Sequence, residues 1–298
     1  MSEFEEDEVE LKYIPYASDI SKKSLEDFPN VKHFLEISVK QADIVAKQVG
    51  RSFQYHQDIV KNRYFSPYAL FIEYFIMKCL SNQYNVELTD KFTDKILENP
   101  DDYIIGTNTR LRDAITEHYV IFKDLNTQAM DIIKSIKVVS LSHVIYFSEP
   151  IPNQEYSVNE DNLREIIRYL ESLPYNSVVF NPCLDCKYFN GHADIVFDND
   201  VIYEMKSSKY KPVPLNKFYQ TIIYGFSMYM KTGVKVKKFK IYNPLLGVES
   251  SLESDNIDYK LFEKVLKHDV TVYSRLQEVL KDKMVLDLSL FAGEEIEN

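Results

Sequence analysis

Residues 191–209, GHADIVFDNDVIYEMKSSK, place two acids and a lysine in a pattern with chemical potential: Asp194, nine residues, Glu204, one residue, Lys206. Asp198, Asn199 and Asp200 lie midway and are turn formers, so ADIVF and VIYEMKS read as two strands of a hairpin. A turn centred on Asn199 pairs Phe197 with Val201, Ile195 with Tyr203 and Asp194 with Glu204. Side chains alternate by face. Ala193, Ile195, Phe197, Val201, Tyr203 and Met205 then form a core face, and His192, Asp194, Val196, Ile202, Glu204 and Lys206 form the other. Opposed residues have Cβ atoms roughly 4.5–5.5 Å apart, and like charges so placed destabilise a sheet unless something compensates them. A bulge at the turn would move this pairing by one residue, yet Glu204 and Lys206 share a face in either register. Two carboxylates at that separation make a hard, oxygen-rich site suited to Mg²⁺ or Mn²⁺. Such an ion polarises a phosphoryl oxygen and acidifies water, while a neighbouring lysine orients or deprotonates the water and offsets charge on the phosphate. The competing expectation is a hairpin whose charged face is simply solvated.

The segment that follows adds to the first reading. Gln220 and Tyr224, four apart in QTIIY, share one face of a helix and are placed to line a cleft beside the metal. Lys209, Lys211 and Lys217 fall between the hairpin and this helix, where they can neutralise a passing phosphate backbone. From Met205 to Lys240 there are nine lysines and no acid, although the formal net charge is -11. Much of the acid sits in the end segments SEFEEDEVE and GEEIEN, which read as solvated tails.

Composition narrows the classes. Hydrophobic residues make up 45% of the 298, which supports a sizeable core, and 22 Tyr and 18 Phe with no Trp make that core aromatic. With 7 Gly and neither GxGxxG nor GxxxxGK[ST], a dinucleotide enzyme or P-loop ATPase is disfavoured. Cys79, Cys183 and Cys186 form no disulfide framework, and CLDC lacks the second pair that a tetrahedral metal site needs. The acidic start has no apolar signal run, and YALFIEYFIMKCL is too short to span a bilayer. The expected setting is intracellular, in cytoplasm or nucleus, with no membrane partner.

Behind an acidic tail (1–12), residues 13–136 read as a helical region. SLEDFPNVKHFLEISVKQADIVAKQV has helical spacing with a break at Pro29, SPYALFIEYFIMKCLSNQY starts from Ser66 as cap and Pro67, and a third helix covers Arg110 to Ile136. A soft boundary falls near 137, where KVVSLSHVIYF reads as a strand. Helix NEDNLREIIRYLESL, three strands, a helix ending at Gly233 and the strand VKKFKIYNP follow, giving the order α-β-β-β-α-β, and a helical tail closes the 137–298 region.

GHADIVF, YEMK and QTIIY together resemble the three signature elements of the PD-(D/E)xK nuclease superfamily, in its RecB-like and lambda-exonuclease-like branch. Gly191 and Asp194 match G-x-x-D, Glu204 and Lys206 match (D/E)-x-K, and Gln220 and Tyr224 match Q-x-x-x-Y. The resemblance covers residues 160–245. It implies a restriction-endonuclease-like α/β core with the αβββαβ order, and a Mg²⁺- or Mn²⁺-dependent exonuclease-type enzyme of DNA processing or repair. Asp194 and Glu204 would be metal ligands, Lys206 would act in water activation, and Gln220 and Tyr224 would face the substrate. Read from the residues alone, Lys209 is a further substrate-side candidate, and His192, across from Lys206, either touches substrate, supports the ligands or packs as a structural histidine. Ala193 stands where the name-giving proline would be, and three cysteines cannot frame the iron–sulfur cluster of some relatives. Such enzymes take one more ligand from an upstream helix. Glu73, the one charge in YALFIEYFIM, is the first choice because burying a lone carboxylate is costly; Glu117, His118 and Glu165 are the alternatives. An RNA endonuclease, or a non-catalytic nucleic-acid-binding protein on such a fold, are the competing functions.

Overall fold

The structure, a computed structural model, describes residues 27–53, 65–99, 109–146, 156–207 and 217–292, with positions 14, 15, 17 and 20, and side chains as far as residue 280. Chain order runs α1 (Pro29–Gln41), β1 (Val45–Gln48), α2 (Phe65–Tyr84), α3 (Lys91–Glu98), α4 (Thr109–Lys123), α5 (Ile133–Val139), α6 (Ser142–Tyr146), α7 (Glu160–Glu171), β2 (Val178–Phe180), β3 (Ile195–Phe197), β4 (Val201–Met205), α8 (Lys217–Thr232), β5 (Lys238–Asn243), β6 (Val248–Glu253) and α9 (Tyr259–Ala292). The strands make one mixed six-stranded sheet in the order β1-β6-β5-β4-β3-β2. Only β4 and β5 run parallel, and α8 is the crossover that parallel pairing requires. No helix among the described residues is long and apolar enough to cross a membrane.

The hairpin takes the expected register, with Phe197 opposite Val201 and Ile195 opposite Tyr203. Its turn holds Asp198 and Asn199 at φ 49° and 61°, a left-handed conformation that short polar side chains tolerate. Asp198 Oδ1 accepts from the backbone N–H groups of Asn176 and Ser177, which ties the turn to the approach of β2.

Both faces of the central strands β3, β4 and β5 are covered, so the competing expectation of a solvated hairpin face does not hold. Ile195, Phe197, Val201 and Tyr203 pack with α2, α4, α5 and α7. Val196, Ile202, Phe239 and Ile241 pack with α1, α8 and α9. Every residue of β4 is buried, as the near-continuous apolar run of a strand with a parallel neighbour leads one to expect. A solvated hairpin face is therefore excluded. Ala193 joins the second cluster rather than the first, because strand alternation ends at Ile195.

The N-terminal region departs further from its reading. Pro29 opens α1 rather than breaking a longer helix, since its missing N–H costs nothing at the first turn. Asp269 of α9 supplies the cap, accepting from the N–H groups of Asn30 (2.8 Å) and Val31 (2.9 Å). Helix α1 stops at Gln41, and residues 45–48 form an edge strand against β6. The region is thus not purely helical. The helix expected over 110–136 is cut at Asp124, whose Oδ1 binds the N–H of Asn126 and starts a turn. The strand expected over 137–147 is not formed at 137–146, where the structure has helices α5 and α6, so β-branched composition is overridden by packing; residue 147 lies outside the described residues. The boundary expected near 137 falls inside α5, and one core cluster draws on residues from Phe53 to Leu245 across it.

Candidate metal centre

Asp194 and Glu204 come together as the register predicts, but by a more specific device than opposition alone. Glu204 Oε1 accepts from the backbone N–H of Asp194 (3.0 Å), and Asp194 Oδ2 accepts from that of Met205 (2.8 Å). Each carboxylate is fixed by the other's strand. Lys206 Nζ donates to Glu204 Oε2 at 2.7 Å and lies 3.7 Å from Asp194 Oδ2. The lysine is placed by its backbone N–H, which continues the β4–β5 ladder by donating to Tyr242 O (2.9 Å). Glu204 is the floor of the site with its side chain 1% exposed, whereas Asp194 and Lys206 are 20% and 28% exposed and reach solvent.

Glu73 of α2 stands near enough for the charges of Asp194, Lys206 and Glu204 to act on its carboxyl. Burial pushes its carboxyl up from 4.5 to about 8, and Asp194 and Glu204 add to the rise while Lys206 opposes it. Burial likewise pushes Glu204 up to about 7, with Asp194 the next cause. For Lys206, burial alone would favour loss of its proton, but Asp194 and Glu204 outweigh it and hold the ammonium well above the usual lysine range. The other upstream alternatives are engaged elsewhere. Glu117 is exposed on α4, His118 Nδ1 pairs with Ser135 Oγ at 3.0 Å, and Glu165 binds Arg168 one turn along α7.

On α8, Gln220 Nε2 donates to Tyr224 OH at 2.6 Å. Burial raises the Tyr224 hydroxyl, and the nearby charges of Glu204 and Asp194 raise it further. Gly191 explains itself here. A Cβ at that position would stand 2.7 Å from Tyr224 Cε1 and 3.2 Å from Ala17 Cβ, so only glycine lets the ring lie flat on the chain three residues before Asp194.

Two substrate-side expectations stand differently. Lys209 lies outside the described residues, as does Lys211. His192 sits on a ten-residue hairpin, bridged to Cys183 and with Nδ1 3.4 Å from Asn181 O. Cys183, Asp185 and His192 bring ligand atoms within 4.8 Å of one another, the one such set of three His, Cys, Asp or Glu groups among the described residues. The sequence reading missed this set because it sought a second cysteine pair rather than a turn folding C-x-D onto Gly-His. Several lysines of the acid-free run also find acids from elsewhere: Lys237 pairs with Asp200, Lys238 with Glu253 and Lys240 with Glu249.

The donor set of Glu73, Asp194 and Glu204 fits a hard divalent cation. It is all oxygen, burial and the neighbouring carboxylates make two of its three carboxyls resist ionisation, and a cation would offset that cost. The three do not close to 4.8 Å of one another; the Lys206 ammonium, 2.7 Å from Glu204 and 3.7 Å from Asp194, supplies positive charge there. No protein-family model, curated protein or solved structure matches the chain.

Proposed function

We propose that this protein is a Mg²⁺- or Mn²⁺-dependent nuclease that hydrolyses DNA phosphodiester bonds, on a restriction-endonuclease-like core of the PD-(D/E)xK kind. The observation that carries the reading is the meeting of Asp194 and Glu204 on Lys206 at a place open to solvent on one side, with the Glu73 carboxyl of α2 within their electrostatic reach. The element order α7-β2-β3-β4-α8-β5 and the approach of Tyr224 from α8 support it.

Glu73, Asp194 and Glu204 would hold the cation. When bound, it neutralises a phosphoryl oxygen and acidifies the attacking water. Lys206 keeps its proton beside two carboxylates, so it serves as a donor that orients water and offsets charge on the phosphate rather than as a base. Tyr224, held by Gln220, presents a neutral hydroxyl donor to a substrate oxygen. The reciprocal backbone bonds of Asp194 and Glu204 keep both carboxylates in place before substrate arrives, which is the preorganisation that transition-state stabilisation needs. An intracellular setting agrees with three unpaired cysteines.

The test is cleavage of linear and single-stranded DNA by purified protein with Mg²⁺ or Mn²⁺, with EDTA as control and matched RNA beside it. Lys206→Ala should lower the rate by about 10²- to 10⁴-fold while the fold persists. Unchanged cleavage in that variant, or metal-independent DNA retention with no cleavage by the wild type, refutes the assignment.

A further inference from the structure

A groove of about 1180 Å³ lies between α9, the end of α8 and the hairpin of residues 183–192. Its charge runs against that of the chain. Lys187, Lys260, Lys264, Lys267 and Arg275 line it, with Glu263 the one carboxylate among its lining residues, in a protein of formal net charge -11. Glu263 is already committed, accepting from Tyr188 OH (3.3 Å) and lying 3.8 Å from Lys187 Nζ. The other acid of this stretch, Asp269, is turned inward to cap α1 and is 1% exposed. No carboxylate pairs with Lys260, Lys264 or Arg275 among the described residues, and all three are exposed.

The arrangement selects a class of ligand. Residues 260, 264, 267, 271 and 275 repeat at helical spacing on one face of α9. At 1.5 Å per residue the cations are strung over about 22 Å. A small anion needs donors that converge on a point; these are spread along a line, as the evenly spaced charges of a polymer require. The groove shares its hairpin with the segment that enters the candidate metal centre. Tyr188 in its wall is six residues from Asp194 in sequence, and at most about 3.6 Å per residue places them within about 22 Å. The same hairpin ends at Gly191 beneath Tyr224.

We propose that this groove binds the sugar–phosphate backbone of the DNA at a distance from the bond that is cut. The inference rests on the nuclease reading for its partner, but its test is separate. Binding of a 30-base-pair duplex is measured by fluorescence anisotropy in EDTA, where no metal-dependent cleavage occurs, over a series of salt concentrations. The Lys260→Ala/Lys264→Ala/Arg275→Ala variant should bind about 10- to 100-fold more weakly and show a log–log salt slope shallower by about 2 to 3, since each lost phosphate contact removes about 0.9. A control removing equal charge elsewhere, Lys40→Ala/Lys47→Ala/Lys134→Ala, should bind as the wild type does. If the groove variant matches the control in affinity and slope, the proposal is overturned whether or not the protein cleaves DNA. If the slope falls and no metal-stimulated cleavage is found, the groove stands and the nuclease reading fails.

Discussion

Replacing Glu73 by Gln should make the metal-free protein more stable and its response to metal weaker. Burial and the carboxylates of Asp194 and Glu204 move the Glu73 carboxyl from 4.5 to about 8. At 1.36 kcal/mol per pH unit, that difference sets an upper limit of about 5 kcal/mol on the cost of ionising it in the fold. An amide of the same shape sheds the charge but must still be desolvated, at about 1–3 kcal/mol. The net gain at pH 8 is therefore at most about 2–4 kcal/mol, or up to about 4–16 °C in Tm for a chain of this size. At pH 5 Glu73 is protonated in the fold, and the variant should be no more stable than the wild type. Differential scanning calorimetry of both proteins at pH 5 and pH 8, in EDTA and then in Mn²⁺, reads all of this. Mn²⁺ should raise the wild-type Tm by mass action and raise that of Glu73→Gln less. A variant less stable than wild type at pH 8 in EDTA, or one that Mn²⁺ stabilises as strongly, would show that Glu73 is a structural residue and refute the reasoning.

Two further outcomes follow from the same geometry. Glu73 and Glu204 both titrate higher in the fold than in the unfolded chain, so the folded state holds more protons between their unfolded value of 4.5 and about 8. Their contribution to stability is complete below that window and is lost as pH rises through it, by several kcal/mol in total as an order of magnitude. Urea midpoints of the metal-free protein should thus fall between pH 5 and pH 8.5 and fall less in Mn²⁺; a midpoint that rises across this range contradicts the charge assignment. Gly191→Ala drives a methyl against the Tyr224 ring and should cost about 1–3 kcal/mol. It should also lower DNA cleavage more than Tyr224→Phe does, because the whole ring is displaced; cleavage at the wild-type rate would separate Gly191 from the site.

Where side-chain period and local chemistry decide the outcome, the residues were readable. The hairpin register follows from the Asp198–Asp200 turn and strict alternation, and with it the meeting of Asp194, Glu204 and Lys206. Glu73 was legible as one charge in an apolar helix, a local conflict that only a partner could resolve. What escaped the sequence depends on contacts far along the chain. Edge strand β1 has all four residues exposed and carries no alternation, and β6 supplies its pairing. Residues 137–146 have strand-like composition but sit where α4 and α3 offer helical partners to α5 and α6. The cap of α1 comes from Asp269, 238 positions from Val31. The second covering layer over the hairpin, from α1, α8 and α9, was hidden because Val196 and Ile202 looked like two apolar residues on a charged face.

The claim beneath all of this is that three carboxyl groups, gathered by α2, β3 and β4, form a cation site beside Lys206. Anomalous diffraction from crystals soaked in Mn²⁺ tests it directly. The account predicts one strong peak in contact with oxygens of Glu73, Asp194 and Glu204. A peak at Cys183, Asp185 and His192 with none among the carboxylates, or no peak at all, would contradict it.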